Sequence, residues 1–367
     1  QQVGRAGRAI DRALGLMMAG REDEDIHQFF RSSAFPDESR VDIILAALEG
    51  SDGLTTRELL AQVNLTEGQI EQVLKYLSVE NPAPVIRQDS KWSRTPVPYR
   101  LDHGRIHRLT EKRELEWQEV QRYVDTKECL MAYLGRALDD PHASKCGKCA
   151  NCRARPVVPI GLDSGLIKRA LLFLKQSDLR VEPRSRIPKG ALVTYDLGGN
   201  IPPPLRAEAG RVLSRWGDAG WGRLVADDKH IGRFRDELVD AAAEMILDRW
   251  RPEPFPEWVT CVPSLRHPEL VPDFSKRLAA RLSLPFKDVV SKLKDNEPQK
   301  HQNNSWHQCR NLDGAFAIKK GVAETPVLLV DDMVDSRWTV TVIAALLRQA
   351  GSGPVFPVAL ATTFTNG

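Results

Sequence analysis

Cys129, Cys146, Cys149 and Cys152 follow the pattern C-x16-C-x2-C-x2-C. Thiolates at this spacing form a closed tetrahedral site, with three close cysteines wrapping an ion on a tight turn and Cys129 arriving from the helix before them. Four sulfur ligands leave no open position, so the expected role is structural; zinc is the expected ion and an iron–sulfur centre the alternative. The chain opens on the polar, basic Gln1-Gln2-Val3-Gly4-Arg5, with no signal peptide, so the cluster reads as metal in a reducing cytoplasm rather than as disulfides. Cys261 and Cys309 stand apart and are expected to be buried thiols.

Three further groups of residues could do chemistry. In Gln1-x-x-Gly4-Arg5-Ala6-Gly7-Arg8, glycines allow close backbone approach and two guanidinium forks can meet a nucleotide's phosphates. In Pro326–Thr339 an apolar strand runs into Asp331 and Asp332, followed by a loop with Asp335, Ser336 and Thr339 and then a helix. A parallel sheet binds ligands at such carboxyl ends. In the stretch 84–113, Arg87, Lys91, Arg94 and further cations are interleaved with Trp92 and Tyr99, which suits phosphates and bases. A solvated surface hairpin is the alternative for that stretch.

Elements must hold these groups. The 367 residues carry 42% hydrophobic and 28% charged side chains, a net charge of +3, and no apolar run long enough for a membrane span. Residues 1–33 contain a short apolar strand, Ala13–Met18, and an acidic helix start at 21–25; with no initiator Met, they read as the end of a larger domain. Residues 34–103 show helical period at Val41, Ile44, Leu45 and Leu48, a helix over Thr55–Val63, and a third with Ile70, Val73, Leu74 and Leu77 on one face. Strands at Val85–Arg87 and Val97–Leu101 follow. Three helices and a hairpin predict a winged helix, with Thr66–Val79 as recognition helix; such folds also serve as protein contacts. Residues 104–155 hold a long polar helix, Thr110–Leu134, and the cysteines. Residues 156–226 are expected to be a connecting region, with a helix at Ser164–Lys175 and a loop at 198–204. From 227 to 367 helices and strands alternate, which predicts an α/β domain with a parallel sheet.

The order of motifs resembles RecQ-family DNA helicases. The opening segment is similar to the sixth motif of superfamily-two helicases, where Arg5 and Arg8 match the residues that sense or stabilise the ATP γ-phosphate. Arg108–Cys152 resembles the family's zinc subdomain, although in many members the winged helix follows that subdomain, whereas 34–103 precedes it. No GxxxxGK[ST] phosphate loop is present. The resemblance therefore implies an ATP- and Mg2+-dependent 3′-to-5′ helicase as the whole protein, and a DNA-binding part here that does not itself turn over ATP. It implies single-stranded DNA or a duplex junction as partner, a role in unwinding and repair, a repair protein as further partner, and a cytoplasmic, nucleoid-associated location.

Residues 240–367 resemble type I phosphoribosyltransferases. Val262–Arg266 is similar to that family's pyrophosphate-side loop, and Arg310-Asn311-Leu312-Asp313-Gly314-Ala315-Phe316 to the R-N-x-x-G-A-F segment of the competence-protein-F-like branch. By resemblance Asp331 and Asp332 hold ribose, Ser336 and Thr339 hold the 5′-phosphate, Asp335 lies near the base, and phosphoribosyl pyrophosphate with Mg2+ is the ligand. Arg337 stands where the family usually has Gly; at positive φ its β-carbon costs about 1 kcal/mol. This argues for ligand binding with little turnover. An active transferase on a nucleobase and an interaction scaffold are the rival readings.

Overall fold

A computed structural model describes residues 13–20 and 22–363, and these divide into two units, 13–59 with 68–161, and 60–67 with 162–363. No helix among them is long and apolar enough to cross a membrane.

In the first unit, helix α1 (Asp23–Ser32) starts with three acids that complement its dipole. Helix α2 (Glu38–Glu49) is capped by Asp37, whose carboxylate accepts from Arg40 N, and it ends at Gly50. Helix α3 (Thr56–Gln62) opens on a reciprocal cap: Glu58 N donates to Thr55 Oγ1 at 3.2 Å, and Thr55 N donates to Glu58 Oε2 at 2.8 Å. Helix α4 (Glu67–Ser78) follows; the division between units passes through α3, and residues 60–67 group with the second unit. Val41, Ile44, Leu45 and Leu48 on α2, and Ile70, Val73, Leu74 and Leu77 on α4, are all buried, as the i, i+3, i+4, i+7 spacing requires.

Strands β1 (Val85–Gln88) and β2 (Lys91–Arg94) form an antiparallel hairpin that turns on Asp89 and Ser90, with Asp89 at φ 54°. The expected second strand at 97–101 does not form. Pro96 and Pro98 have no N–H to give a ladder, so the partner strand lies earlier. Residues 13–18 also form no strand, and Leu14 and Met18 are exposed. The expected helix Thr110–Leu134 is two helices. Helix α5 (His103–Asp125) begins earlier, where Asp102 accepts from Arg105 N at 2.8 Å, and stops at Asp125. Helix α6 (Leu130–Ala137) begins after Cys129. The break is held from outside: Asn151 Nδ2 donates to Thr126 O and Glu128 O, both at 2.7 Å. A short helix α7 (Ala150–Arg153) closes the cysteine loop.

The second unit runs α8 (Ser164–Gln176), β3 (Leu179–Val181), β4 (Arg186–Leu192), β5 (Leu197–Asn200), β6 (Gly210–Arg215), α9 (Gly222–Ile231) and α10 (Asp236–Glu244, with π-helical turns to Trp250). It continues through β7 (Trp258–Cys261), α11 (Leu270–Arg281), β8 (Val290–Lys292), α12 (Ser305–Arg310), β9 (Phe316–Ile318), β10 (Val327–Val334), α13 (Trp338–Gln349) and β11 (Val355–Thr362). One sheet has the order β3-β6-β11-β10-β7; its last four strands are parallel and β3 is antiparallel. Alternate residues of β10 enter opposite cores: Val327 and Leu329 pack with α13, Leu328 and Val330 with α10 and α11. Helices thus cover both faces of a mostly parallel sheet.

Of the expected connecting region 156–226, residues 162–226 are part of this fold: β6 is a parallel strand beside β11, and β4 pairs with β5 where a loop was expected. Strand β6 offers only Val212 and Leu213 as apolar residues, so its strand character comes from the ladder. Gly210 permits the pairing, because a Cβ there would lie 2.2 Å from Pro357 O.

Candidate functional site

The four predicted thiols come together. Each Sγ of Cys129, Cys146, Cys149 and Cys152 lies within 4.8 Å of the other three, and Cys129 and Cys149 are 4.0 Å apart. Zinc–sulfur bonds of about 2.3 Å require sulfurs about 3.8 Å apart in a tetrahedron, so the set fits such an ion with little adjustment. Cys129 is the residue before α6 rather than a member of a helix, and Cys149 holds the same place before α7. Backbone N–H groups aim at the sulfurs: Cys146 N donates to Cys129 Sγ at 3.2 Å, Lys148 N and Cys149 N to Cys146 Sγ at 3.4 Å, and Cys152 N to Cys149 Sγ at 3.4 Å. Gly147, at φ 66°, makes the turn that brings two of them to one sulfur. These donors favour thiolate. The N–H of Cys146 is the main cause that draws Cys129 down to about 6, whereas Cys129 and Cys149, by holding its proton, push Cys152 up to about 11. A divalent ion would take the place of those shared protons. With four protein ligands it would be structural.

The hairpin places its candidate residues unequally. Arg87 and Lys91 are exposed, with Arg87 Nε donating to Asp89 O at 3.1 Å. Arg94 is a brace: its Nη1 donates to Pro84 O at 2.7 Å. Trp92 is 9% exposed and its backbone pairs with Leu54, so it is a core residue and offers no free face for a base. Arg87 covers the ring at 5.7 Å. The interleaving of aromatic and basic residues is thus the ordinary alternation of a half-buried strand. Arg5 and Arg8 lie outside the described residues.

In the second unit a cleft of about 500 Å³ opens at the carboxyl ends of β7 and β10. Asp331, Asp332, Asp335, Ser336 and Thr339 all line it, as does the loop Val262–Ser264. Strand β10 continues through both acids to Val334, so they are held by the ladder rather than by a loop. Asp331 is buried, and its Oδ1 accepts from Asp332 N at 2.9 Å; burial, reinforced by the charge of Asp332, raises its carboxyl well above the ordinary range. Asp332 Oδ2 meets Lys229 Nζ from α9 at 2.8 Å. Asp335 accepts from Thr363 Oγ1 at 2.7 Å.

The turn after the acids is left-handed at Arg337, φ 69° and ψ −1°, immediately before α13. This is a glycine conformation carried by a β-branchless but long side chain, at a cost of about 1 kcal/mol. Arg184 holds the turn: Nε donates to Ser336 O at 3.3 Å, its N donates to Thr341 Oγ1 at 2.9 Å, and Thr341 Oγ1 donates to Arg337 O at 2.8 Å. The Arg184 guanidinium lies 5.3 Å from the centre of the Trp338 ring, which is buried in the core and leaves the cleft open. The Arg310–Phe316 segment is structural at its start. Arg310 Nη1 and Thr194 Oγ1 both reach Asp313 Oδ2, at 2.8 and 2.9 Å, and Gly314 turns at φ 66° toward β9.

Sequence reasoning missed Lys229, Lys292 and Arg184. Lys292 lines the cleft from β8, and burial, with Arg266 adding to it, lowers its ammonium below the usual range. No local pattern marks any of them; only the fold brings α9, β8 and the segment before β4 to the end of β10. The cleft can bind a phosphorylated, hydroxyl-bearing ligand: acids to meet hydroxyls, cations and the N-terminal N–H groups of α13 to meet phosphate.

No family model matches the sequence, and no curated protein matches it. Among solved structures, one similar chain is adenine phosphoribosyltransferase from Leishmania donovani, 14% identical over 39% of this chain and 71% of that one, with a TM-score of 0.25.

Proposed function

We propose that this chain is the DNA-handling carboxy-terminal part of a RecQ-like ATP-dependent helicase, with a phosphoribosyltransferase-like domain that binds ligand and contributes little turnover. The observation that carries the helicase reading is the convergence of Cys129, Cys146, Cys149 and Cys152 into one closed sulfur set directly after the long basic-starting helix α5. A closed zinc site positions its neighbours instead of reacting. The exposed Arg87 and Lys91 on a hairpin beside α2, read as the wing of a winged helix, supply charge for phosphates of a single-strand/duplex junction. Arg5 and Arg8 would serve ATP only together with a separate phosphate loop.

Fluorescence anisotropy with a forked DNA, titrated over a range of salt, tests this. Arg87→Ala with Lys91→Ala should lower the slope of log affinity against log salt by about two. An unchanged slope and affinity would remove the hairpin as the DNA surface and favour a protein-docking role.

The cleft supports the second half of the reading. Its acids, left-handed turn and flanking cations suit a ribosyl phosphate. The strained, bulky Arg337 argues against the close positioning that transfer chemistry needs. Pyrophosphate release with common nucleobases, abolished by Asp331→Ala plus Asp332→Ala, would instead establish an active transferase.

A further inference from the structure

A divalent ion held by an acidic pair needs carboxylate oxygens that carry uncompensated negative charge, because the protein's share of a Mg2+ site is one or two carboxylates, with waters and substrate phosphates completing the shell. The pair on β10 does not offer this. Asp332 Oδ2 is already met by Lys229 Nζ at 2.8 Å, in a pair whose side chains are 30% (Lys229) and 16% (Asp332) exposed. Asp331 is buried beneath it, with Oδ1 taken by Asp332 N. The ammonium is held in place, 3.8 Å from Met333 Sδ and 5.9 Å from the centre of the Trp216 ring. A metal entering here would face that ammonium across a short distance in a partly desolvated site. The Mg2+ implied by the resemblance therefore does not fit these residues as they stand.

We infer that Lys229 takes the place of a divalent cation at the acidic pair, so that the cleft binds a phosphorylated sugar as the free anion, without metal. This rests on the phosphoribosyl reading of the cleft. The geometry on the far side agrees with it: Arg266, Lys292 and Arg337 line the same cleft and supply positive charge that a metal would otherwise bring with the ligand. Asp332, neutralised by Lys229, stays available to accept from a sugar hydroxyl.

Two measurements on the full chain separate this inference from the reading beneath it. The first is Mn2+ titration followed by electron paramagnetic resonance. Wild type should retain no Mn2+ at the acidic pair, Lys229→Met should gain one ion per chain, and adding Asp332→Asn to that variant should lose it again. Lys229→Gln serves in its place if the Met variant does not fold. Mn2+ retained by wild type and lost on Asp332→Asn overturns the inference, and so does a failure of both Lys229 variants to gain the ion. The second is calorimetry with ribose 5-phosphate in buffer freed of divalent ions, with and without added Mg2+. Affinity should agree within about twofold between the two conditions and fall by about tenfold in Lys229→Met. Binding that requires Mg2+ overturns the inference. Absence of binding in both conditions refutes the phosphoribosyl reading itself, while the Mn2+ result still decides what Lys229 does.

Discussion

At the scale of single residues, Arg337 and Asp331 carry the stored cost of the cleft. Arg337 sits at φ 69°, where glycine is at ease. Arg337→Gly should relieve about 1 kcal/mol of strain, offset in part by loss of the Arg337 Nη1 bond to Glu182 O and by the larger unfolded-state entropy of glycine, so thermal denaturation should show a net change below about 0.5 kcal/mol. Asp331 is buried, and its folded pKa lies above the unfolded value of about 3.9. Below that value both states hold the proton and the residue is harmless. As pH rises toward the folded pKa, the unfolded chain releases its proton first, and stability is lost. Asp331→Asn should therefore be more stable than wild type at neutral pH, with the difference closing as pH is lowered toward about 4. A constant difference across that range would mean that burial of the carboxyl is not its cause. The sequence pointed to both positions by their neighbours, an apolar strand before and a helix after. It did not show that Lys229 would neutralise the pair.

At the scale of elements, the hairpin β1–β2 divides its labour between faces. Trp92 fills the core and Arg94 braces Pro84 O, while Arg87 and Lys91 face solvent. Trp92→Ala should cost about 3–5 kcal/mol of stability, measured by urea denaturation, as for other large aromatic truncations in cores. Arg87→Ala with Lys91→Ala should change stability by less than about 0.5 kcal/mol. The cysteine loop is also an element with little core of its own: α5 has no buried residue, α6 has Ala132 and α7 has none. A metal bound by the four thiols would supply the order that packing does not. Replacing any one of Cys129, Cys146, Cys149 or Cys152 by Ser should unfold the 104–155 region, since structural zinc contributes on the order of 10 kcal/mol to such modules. Metal analysis should find one zinc per chain in protein purified without chelator, and limited proteolysis should find new cuts in 104–155 once the metal is removed.

At the scale of the whole molecule, two units are stabilised by different means. The second has two extensive apolar cores, one on each face of a mostly parallel sheet. The first combines a small helical core with the sulfur centre. Chelation should therefore lower the unfolding temperature of the first unit and leave the transition of the sheet in place, which differential scanning calorimetry resolves as loss of one component. A joint shift of all transitions would show that the metal supports the sheet as well.

Local pattern determined what depends on neighbours in the chain. The spacing of apolar residues in α2 and α4 placed their buried faces, because a helix repeats its environment every few residues. The cysteine spacing placed three thiols close together, and the run of Val327–Val330 into two acids placed those acids at the end of a buried strand. Tertiary structure decided the rest, through pairings that leave no local period. Strand β6 exists because β11 accepts it across Gly210, which is why residues 156–226 read as a connection in the sequence. Helix α5 ends where Asn151 captures the next carbonyls, and Cys129 gains its N–H donor from Cys146. Trp92 is core because Leu54 closes over the hairpin from another segment. The charge of the cleft was likewise undetermined by its own motif: Lys229 reaches Asp332 from α9, and only the folded sheet sets the distance between them.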